Sequence, residues 1–261
     1  MPLADRFDGL LIDLDGVVWT GREPVPGSPQ ALRALLEAGR RIVFVTNNPG
    51  RPPGAYAERL RELGVEVGAE QIVTAGMVAA RLAGEAAGAG GSAFVIGAAA
   101  LKEMVAATGA RLLEGEEARE ADVVVVSGHR GFDYEELLTA KRALDGGAAF
   151  FATSHDPTMP YPGGELPGTG AVLAAVETAT GRRAEIAGKP ERHLFEMAAA
   201  AIGGDGRLAM VGDRISSDID GGRRAGLETV LVLSGTTSRE EAEAASPGPD
   251  HVVENLAVLV A

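Results

Sequence analysis

Short β-branched and aliphatic runs recur between alanine- and leucine-rich stretches of helical length along nearly the whole chain. LLID at Leu10–Asp13, RIVFVT at Arg41–Thr46, DVVVVS at Asp122–Ser127 and LAMVG at Leu208–Gly212 are the clearest runs. Strands alternating with helices in this way predict a parallel α/β sheet. Further strands are expected over Gln71–Thr74, Ala93–Ile96, Ala149–Thr153, Thr229–Leu233 and His251–Val253. Helices are expected over Pro29–Ala38, Pro53–Leu63, Met77–Ala86, Ala99–Thr108, Tyr134–Leu144, Ala171–Thr180 and Pro190–Ile202, with a short one at Gly221–Ala225.

The alternation changes style twice. AAGAGGS at Ala86–Ser92 reads as a linker, and a loop dense in Pro and Gly fills His155–Gly170. The organisation expected is a discontinuous core, residues 1–83 and 182–261, with a smaller α/β domain inserted over residues 84–181.

Composition narrows the class of function. With 24 Lys and Arg against 37 Asp and Glu the formal net charge is −13. Such a chain repels nucleic acid and anionic lipid, so neither is an expected partner. Cys is absent, which removes disulfides, thiolate nucleophiles and thiolate metal sites. The start, MPLADRFDG, has neither a basic segment nor an apolar signal core, and no uncharged run is suited to spanning a bilayer. The expected location is the cytoplasm.

In open α/β sheets ligands bind beyond the carboxyl ends of the strands, and three polar clusters fall there: Asp13-Leu14-Asp15, Thr46-Asn47-Asn48, and Gly212-Asp213-Arg214 with Asp218 close behind. An aspartate before a glycine is commonly a turn residue. Two at alternate positions of an extended chain share a face, and at about 4 Å and an effective dielectric near 20 they repel by roughly 4 kcal/mol. A divalent cation removes that objection, and oxygen-only ligands suit Mg²⁺; Asp213 could add a carboxylate from the distant strand. Thr46, Asn47 and Asn48 read equally as a turn or as donors to phosphate oxygens. Lys189, before a proline that suits a first helical turn, is expected at a helix N-terminus, where anions are favoured. His129, His155, His193 and His251 lack ligand spacing, and Trp19 reads as packing or contact alike.

DLDG at Asp13–Gly16, TNN at Thr46–Asn48, GKP at Gly188–Pro190 and GDRISSDI at Gly212–Ile219 resemble, in order, the four motifs of the haloacid dehalogenase superfamily. The inserted middle resembles the α/β cap of its NagD-like and 4-nitrophenylphosphatase-like branch. The resemblance implies a Rossmann-like core, an Mg²⁺ cofactor and a small phosphorylated substrate. Candidates are a sugar phosphate, glycerol phosphate, phosphoglycolate or a nucleoside monophosphate. It implies Asp13 as nucleophile, forming an aspartyl-phosphate, and Asp15 as general acid and base. It further implies a metal held by Asp13, the backbone carbonyl of Asp15 and Asp213, with Asp218 behind them or bridged by water. Thr46, Asn47 and Lys189 are implied to hold the phosphoryl group, with Asn48 beside them. It also suggests a homodimer through the cap. A phosphotransferase and a non-catalytic phosphate sensor are the alternatives. The chain departs from the family where ATN-X-D is expected and Ala152-Thr153-Ser154-His155-Asp156 stands, and where Ser217 replaces a common threonine.

Overall fold

The structure, a computed structural model, describes residues 2–161 and 164–261. The chain divides into two compact units. The first comprises Met1–Thr46, Pro53–Val73 and Lys189–Ala261, and the second Asn47–Pro52 and Thr74–Gly188.

The first unit is organised by a sheet in which Gly9–Asp13 is interior. That strand pairs in parallel with Leu208–Gly212 on one side and Arg41–Thr46 on the other. Parallel pairing continues outward from Leu208–Gly212 through Glu228–Val232 to His251–Val253, and Ile72–Thr74 lies beyond Arg41–Thr46. All five residues of Gly9–Asp13 are buried. This is why its aliphatic run does not alternate with polar residues: both faces of a parallel sheet are covered. The chain leaves this strand toward Arg41–Thr46 and returns beside it only at Leu208–Gly212. The carboxyl ends of Gly9–Asp13 and Leu208–Gly212 therefore flank the point where strand order reverses, the usual ligand crevice of such sheets. Ile12 is level with Val211, so the residues just beyond, Asp13 and Asp213, emerge at the same end.

The second unit holds a five-stranded sheet in the order Glu185–Ile186, Ala149–Ala152, Val123–Val126, Ser92–Ile96, Arg111–Leu112, with every pairing parallel. Helix Ala75–Ala87, capped by the Thr74 hydroxyl accepting from the Met77 amide, packs on the inner strands of this sheet and on helix Ala99–Ala107. The second unit thus begins before that helix rather than after it. The Gly-rich stretch after Ala87 connects a helix to a strand inside one unit instead of linking two. At the other end the division falls after Gly188, beyond the expected residue 182.

The loop expected over His155–Gly170 contains an antiparallel hairpin, Thr158–Tyr161 with Gly164–Pro167; residues 162 and 163 lie outside the described residues. A cross-strand bond from the Thr158 hydroxyl to Glu165 Oε1 at 3.0 Å helps to hold it. Helix Arg192–Ile202 starts two residues after Pro190, with Glu191 at its N-cap. Pro190 follows a cis peptide bond and sits ahead of the first turn rather than in it. Among the described residues no helix is long and apolar enough to cross a membrane.

Candidate active site

Asp13 ends its strand, Asp213 follows the end of Leu208–Gly212, and Asp218 lies on the single wide turn Ile215–Ile219. All three are buried, and one carboxylate oxygen of each lies within 4.8 Å of the others. Lys189 Nζ sits among them, 2.8 Å from Asp13 Oδ1 and 2.6 Å from Asp218 Oδ1. The lysine is itself buried, so these ion pairs are shielded from water.

Asp213 and Asp218 are also oriented from behind. Asp213 Oδ2 accepts from the Thr236 amide at 2.7 Å, and its carbonyl accepts from the Thr237 amide at 3.1 Å. Asp218 Oδ2 accepts from the Arg214 amide at 3.0 Å, which leaves Oδ1 for the lysine. The Ser234 hydroxyl donates to the Gly16 carbonyl at 2.8 Å, tying the segment that holds Asp213 to the DLDG loop. Gly16 has φ +85°, and a Cβ there would stand 2.3 Å from Asp213 Oδ2. The glycine therefore supplies a left-handed backbone and room for the carboxylate together.

The electrostatics follow from this crowding. Burial, reinforced by Asp218 and Asp213, pushes the Asp13 carboxyl well above the usual carboxylate range, although Lys189 opposes the shift. Asp213 is raised for the same first reason, burial, and then by Asp218, while the Thr236 amide pulls the other way. Burial alone would lower the Lys189 pKa, but Asp13 and Asp218 outweigh it and raise it, so the ammonium stays charged. Fully ionised, the three carboxylates and one ammonium leave two negative charges, which a divalent cation would cancel. The donor set is all oxygen, as hard cations such as Mg²⁺ prefer. The residues present fit such an ion.

Other residues singled out in the sequence are placed as follows. The carboxylate of Asp15 is not among the three that gather; its Oδ1 accepts from Trp19 Nε1 at 3.1 Å. Thr46 is buried at the end of its strand, one residue beyond Val45, the neighbour of Asp13. Asn47 belongs to the second unit, where Nδ2 donates to Asp156 Oδ2 at 2.9 Å. Asn48 Oδ1 accepts from the Gly50 amide at 3.0 Å, the local bond of a turn. His155 is exposed, whereas Ser154 is buried. Asp218 takes a direct bond from the lysine at 2.6 Å. Ser234, Thr236 and Gly235, where a Cβ would stand 2.1 Å from Asp213 Oδ2, carry no expectation from the sequence, in which Trp19 reads as packing or contact alike. Only the bulk of Trp19 and the glycine of LSGTT mark them, and neither has a diagnostic spacing.

The haloacid dehalogenase-like hydrolase family profile matches residues 10–111, and a HAD-hydrolase-like profile matches residues 186–259. Mouse chronophin is 38% identical over 271 residues, covering 98% of this chain and 92% of its own. D-glycerol 3-phosphate phosphatase of Mycobacterium tuberculosis is 39% identical over 246 residues, 94% of this chain and 68% of its own. The chain belongs to the haloacid dehalogenase-like hydrolases. The crystal structure of a glycerol phosphate phosphatase from Mycobacterium tuberculosis in complex with magnesium superposes with a TM-score of 0.91 at 37% identity. It covers 99% of this chain and 78% of that one. In this hydrolase the three gathered carboxylates come from the ends of two adjacent strands of one parallel sheet or the turn just after them, whereas Lys189 comes from the segment ahead of helix Arg192–Ile202.

Proposed function

We propose that this hydrolase is a Mg²⁺-dependent phosphatase of small phosphate monoesters, acting through an aspartyl-phosphate on Asp13. The observation that carries the reading is the buried group of Asp13, Asp213 and Asp218 around the Lys189 ammonium. Asp13, the backbone carbonyl of Asp15 and Asp213 would hold the metal, with Asp218 behind them or bridged by water, and its positive charge would neutralise these carboxylates and the phosphoryl oxygens.

An oxygen of Asp13 attacks phosphorus while the bond from phosphorus to the leaving oxygen breaks. Asp15, two residues on, gives its proton to that oxygen, so that an alcohol departs instead of an alkoxide. Asp15 then takes a proton from water as the water oxygen attacks phosphorus, which restores Asp13 and releases inorganic phosphate. Lys189 remains protonated beside Asp13. Its N–H groups are therefore supplied to charge on the phosphoryl oxygens as it is transferred. The Thr46 hydroxyl is the further candidate for holding those oxygens. The names of the relatives support a small phosphorylated metabolite, with glycerol phosphate the first ester to try.

The test is turnover of 4-nitrophenyl phosphate and glycerol 3-phosphate with Mg²⁺ or with EDTA. Release of inorganic phosphate should require the metal. It should vanish in Asp13→Asn and fall strongly in Asp15→Asn while both variants keep their fold. Metal-independent turnover, or full activity in Asp13→Asn, would discard the reading. Delivery of phosphate to an added alcohol in place of water would make the enzyme a phosphotransferase.

A further inference from the structure

The indole N–H of Trp19 has a partner of a particular kind. A buried tryptophan needs some acceptor, and a backbone carbonyl would suffice. Trp19 is 1% exposed, and its Nε1 instead donates to the carboxylate of Asp15, at 3.1 Å. The bond closes a compact loop. The Val18 and Trp19 amides donate to the Leu14 carbonyl at 2.8 and 3.2 Å, and the Gly16 amide donates to the Trp19 carbonyl at 2.7 Å. The ring is held in turn by Arg59, whose guanidinium carbon lies 3.9 Å from the ring centroid. Arg59 Nη2 donates to the Gly21 carbonyl at 2.5 Å, which fixes the guanidinium over the hairpin that carries Trp19.

We propose that Trp19 is a positioning residue for Asp15: its N–H fixes the carboxyl rotation and assigns the transferable proton to Oδ2. An indole nitrogen can only donate, so Oδ1 must accept. The C=O oxygen of a carboxylic acid is a far better acceptor than its O–H oxygen, so a protonated Asp15 that keeps this bond holds its hydrogen predominantly on Oδ2. The same oxygen that gives its proton to the leaving group is then the one that takes a proton from water. The inference rests on the phosphatase reading above and adds to it the device that orients the acid.

Leaving groups supply the test. The anion of 4-nitrophenol departs with little help from an acid, whereas a glycerol alkoxide is strongly basic and needs the proton. Trp19→Phe keeps a ring under Arg59 and deletes the N–H. It should lower kcat/KM for glycerol 3-phosphate by about tenfold more than for 4-nitrophenyl phosphate, a part of the 10²–10⁴ that general acid catalysis contributes. Asp15→Asn should show the same preference more strongly, and adding Trp19→Phe to Asp15→Asn should deepen it no further. Because Trp19 is the only tryptophan, its indole can also be replaced biosynthetically by benzothiophene, with sulfur in place of N–H at nearly constant shape. That protein should show the same split if Trp19→Phe does not fold. Equal losses for both esters, no loss, or a further selective loss in the double variant would overturn the role of Trp19. An Asp15→Asn enzyme without any leaving-group preference would instead overturn the assignment of Asp15 as the acid.

Discussion

Lys189→Met removes the one ammonium among the gathered carboxylates at nearly constant chain length, and its cost can be worked from the distances. The two ion pairs are 2.8 and 2.6 Å long. At an effective dielectric near 20 each is worth about 6 kcal/mol of attraction before desolvation is charged against it. Most of that gross attraction is offset by the cost of burying the ions, and removing one partner of a buried pair typically leaves a net loss of about 3–5 kcal/mol. For a protein of this size that corresponds to a melting temperature about 6–20 °C lower. The measurement is thermal unfolding in EDTA, followed by the same melt with Mg²⁺. The variant should melt well below the parent in EDTA and gain more from the metal than the parent does. At a hundredfold excess over its dissociation constant a ligand contributes about 2.7 kcal/mol. Turnover should be lost in both conditions. An unchanged or higher melting temperature in EDTA would refute the reasoning, because it would mean that dehydrating Lys189 costs as much as its two pairs return.

Gly16→Ala should cost about 1–2 kcal/mol for the left-handed backbone. By displacing Asp213 it should also weaken Mg²⁺ binding on the order of 10–100-fold, measurable by calorimetry; unchanged affinity would show that the contact with Asp213 is slack. Burial holds the Asp13 and Asp213 carboxyls above their unfolded values. Between the ordinary carboxylate value of about 4 and those raised values, the metal-free folded protein therefore binds more protons than the unfolded chain, and these two groups lose stability as pH rises. The melting temperature in EDTA, compared with that of Asp13→Asn, should accordingly favour the parent progressively as pH falls through that window. Mg²⁺ competes with the same protons, so its affinity should fall over the same range; an affinity independent of pH there would remove these carboxyls from the metal site.

Much of the fold is legible in the sequence because its interior strands are continuous aliphatic runs. Arg41–Thr46 and Leu208–Gly212 keep their expected bounds. The two-residue edge strands Arg111–Leu112 and Glu185–Ile186 carry no periodic signal, and neither does a hairpin built from Thr158 to Pro167 with Pro and Gly throughout. Helix Ala75–Ala87 is recognisable as a helix, yet its buried face is mostly Ala and Gly, which does not specify the sheet it covers. Helix Arg239–Ala244 had a readable start in Ser238 and Glu241, which bond each other's backbone amides at 3.2 and 2.8 Å as a capping box. At the site, acidic residues after apolar strands mark Asp13 and Asp213, since few folding reasons put charge there. The bond from Lys189 to Asp218 depends on a turn of unusual width, and that from Trp19 to Asp15 on a loop closure. Neither geometry is written in residue spacing.

The attack of Asp13 on phosphorus is tested most directly by stereochemistry, which does not require the intermediate to accumulate. Hydrolysis of an isotopically chiral phosphorothioate ester should proceed with net retention at phosphorus, because two in-line displacements each invert it. Net inversion would mean that water attacks the ester directly, and Asp13 would then have no covalent role.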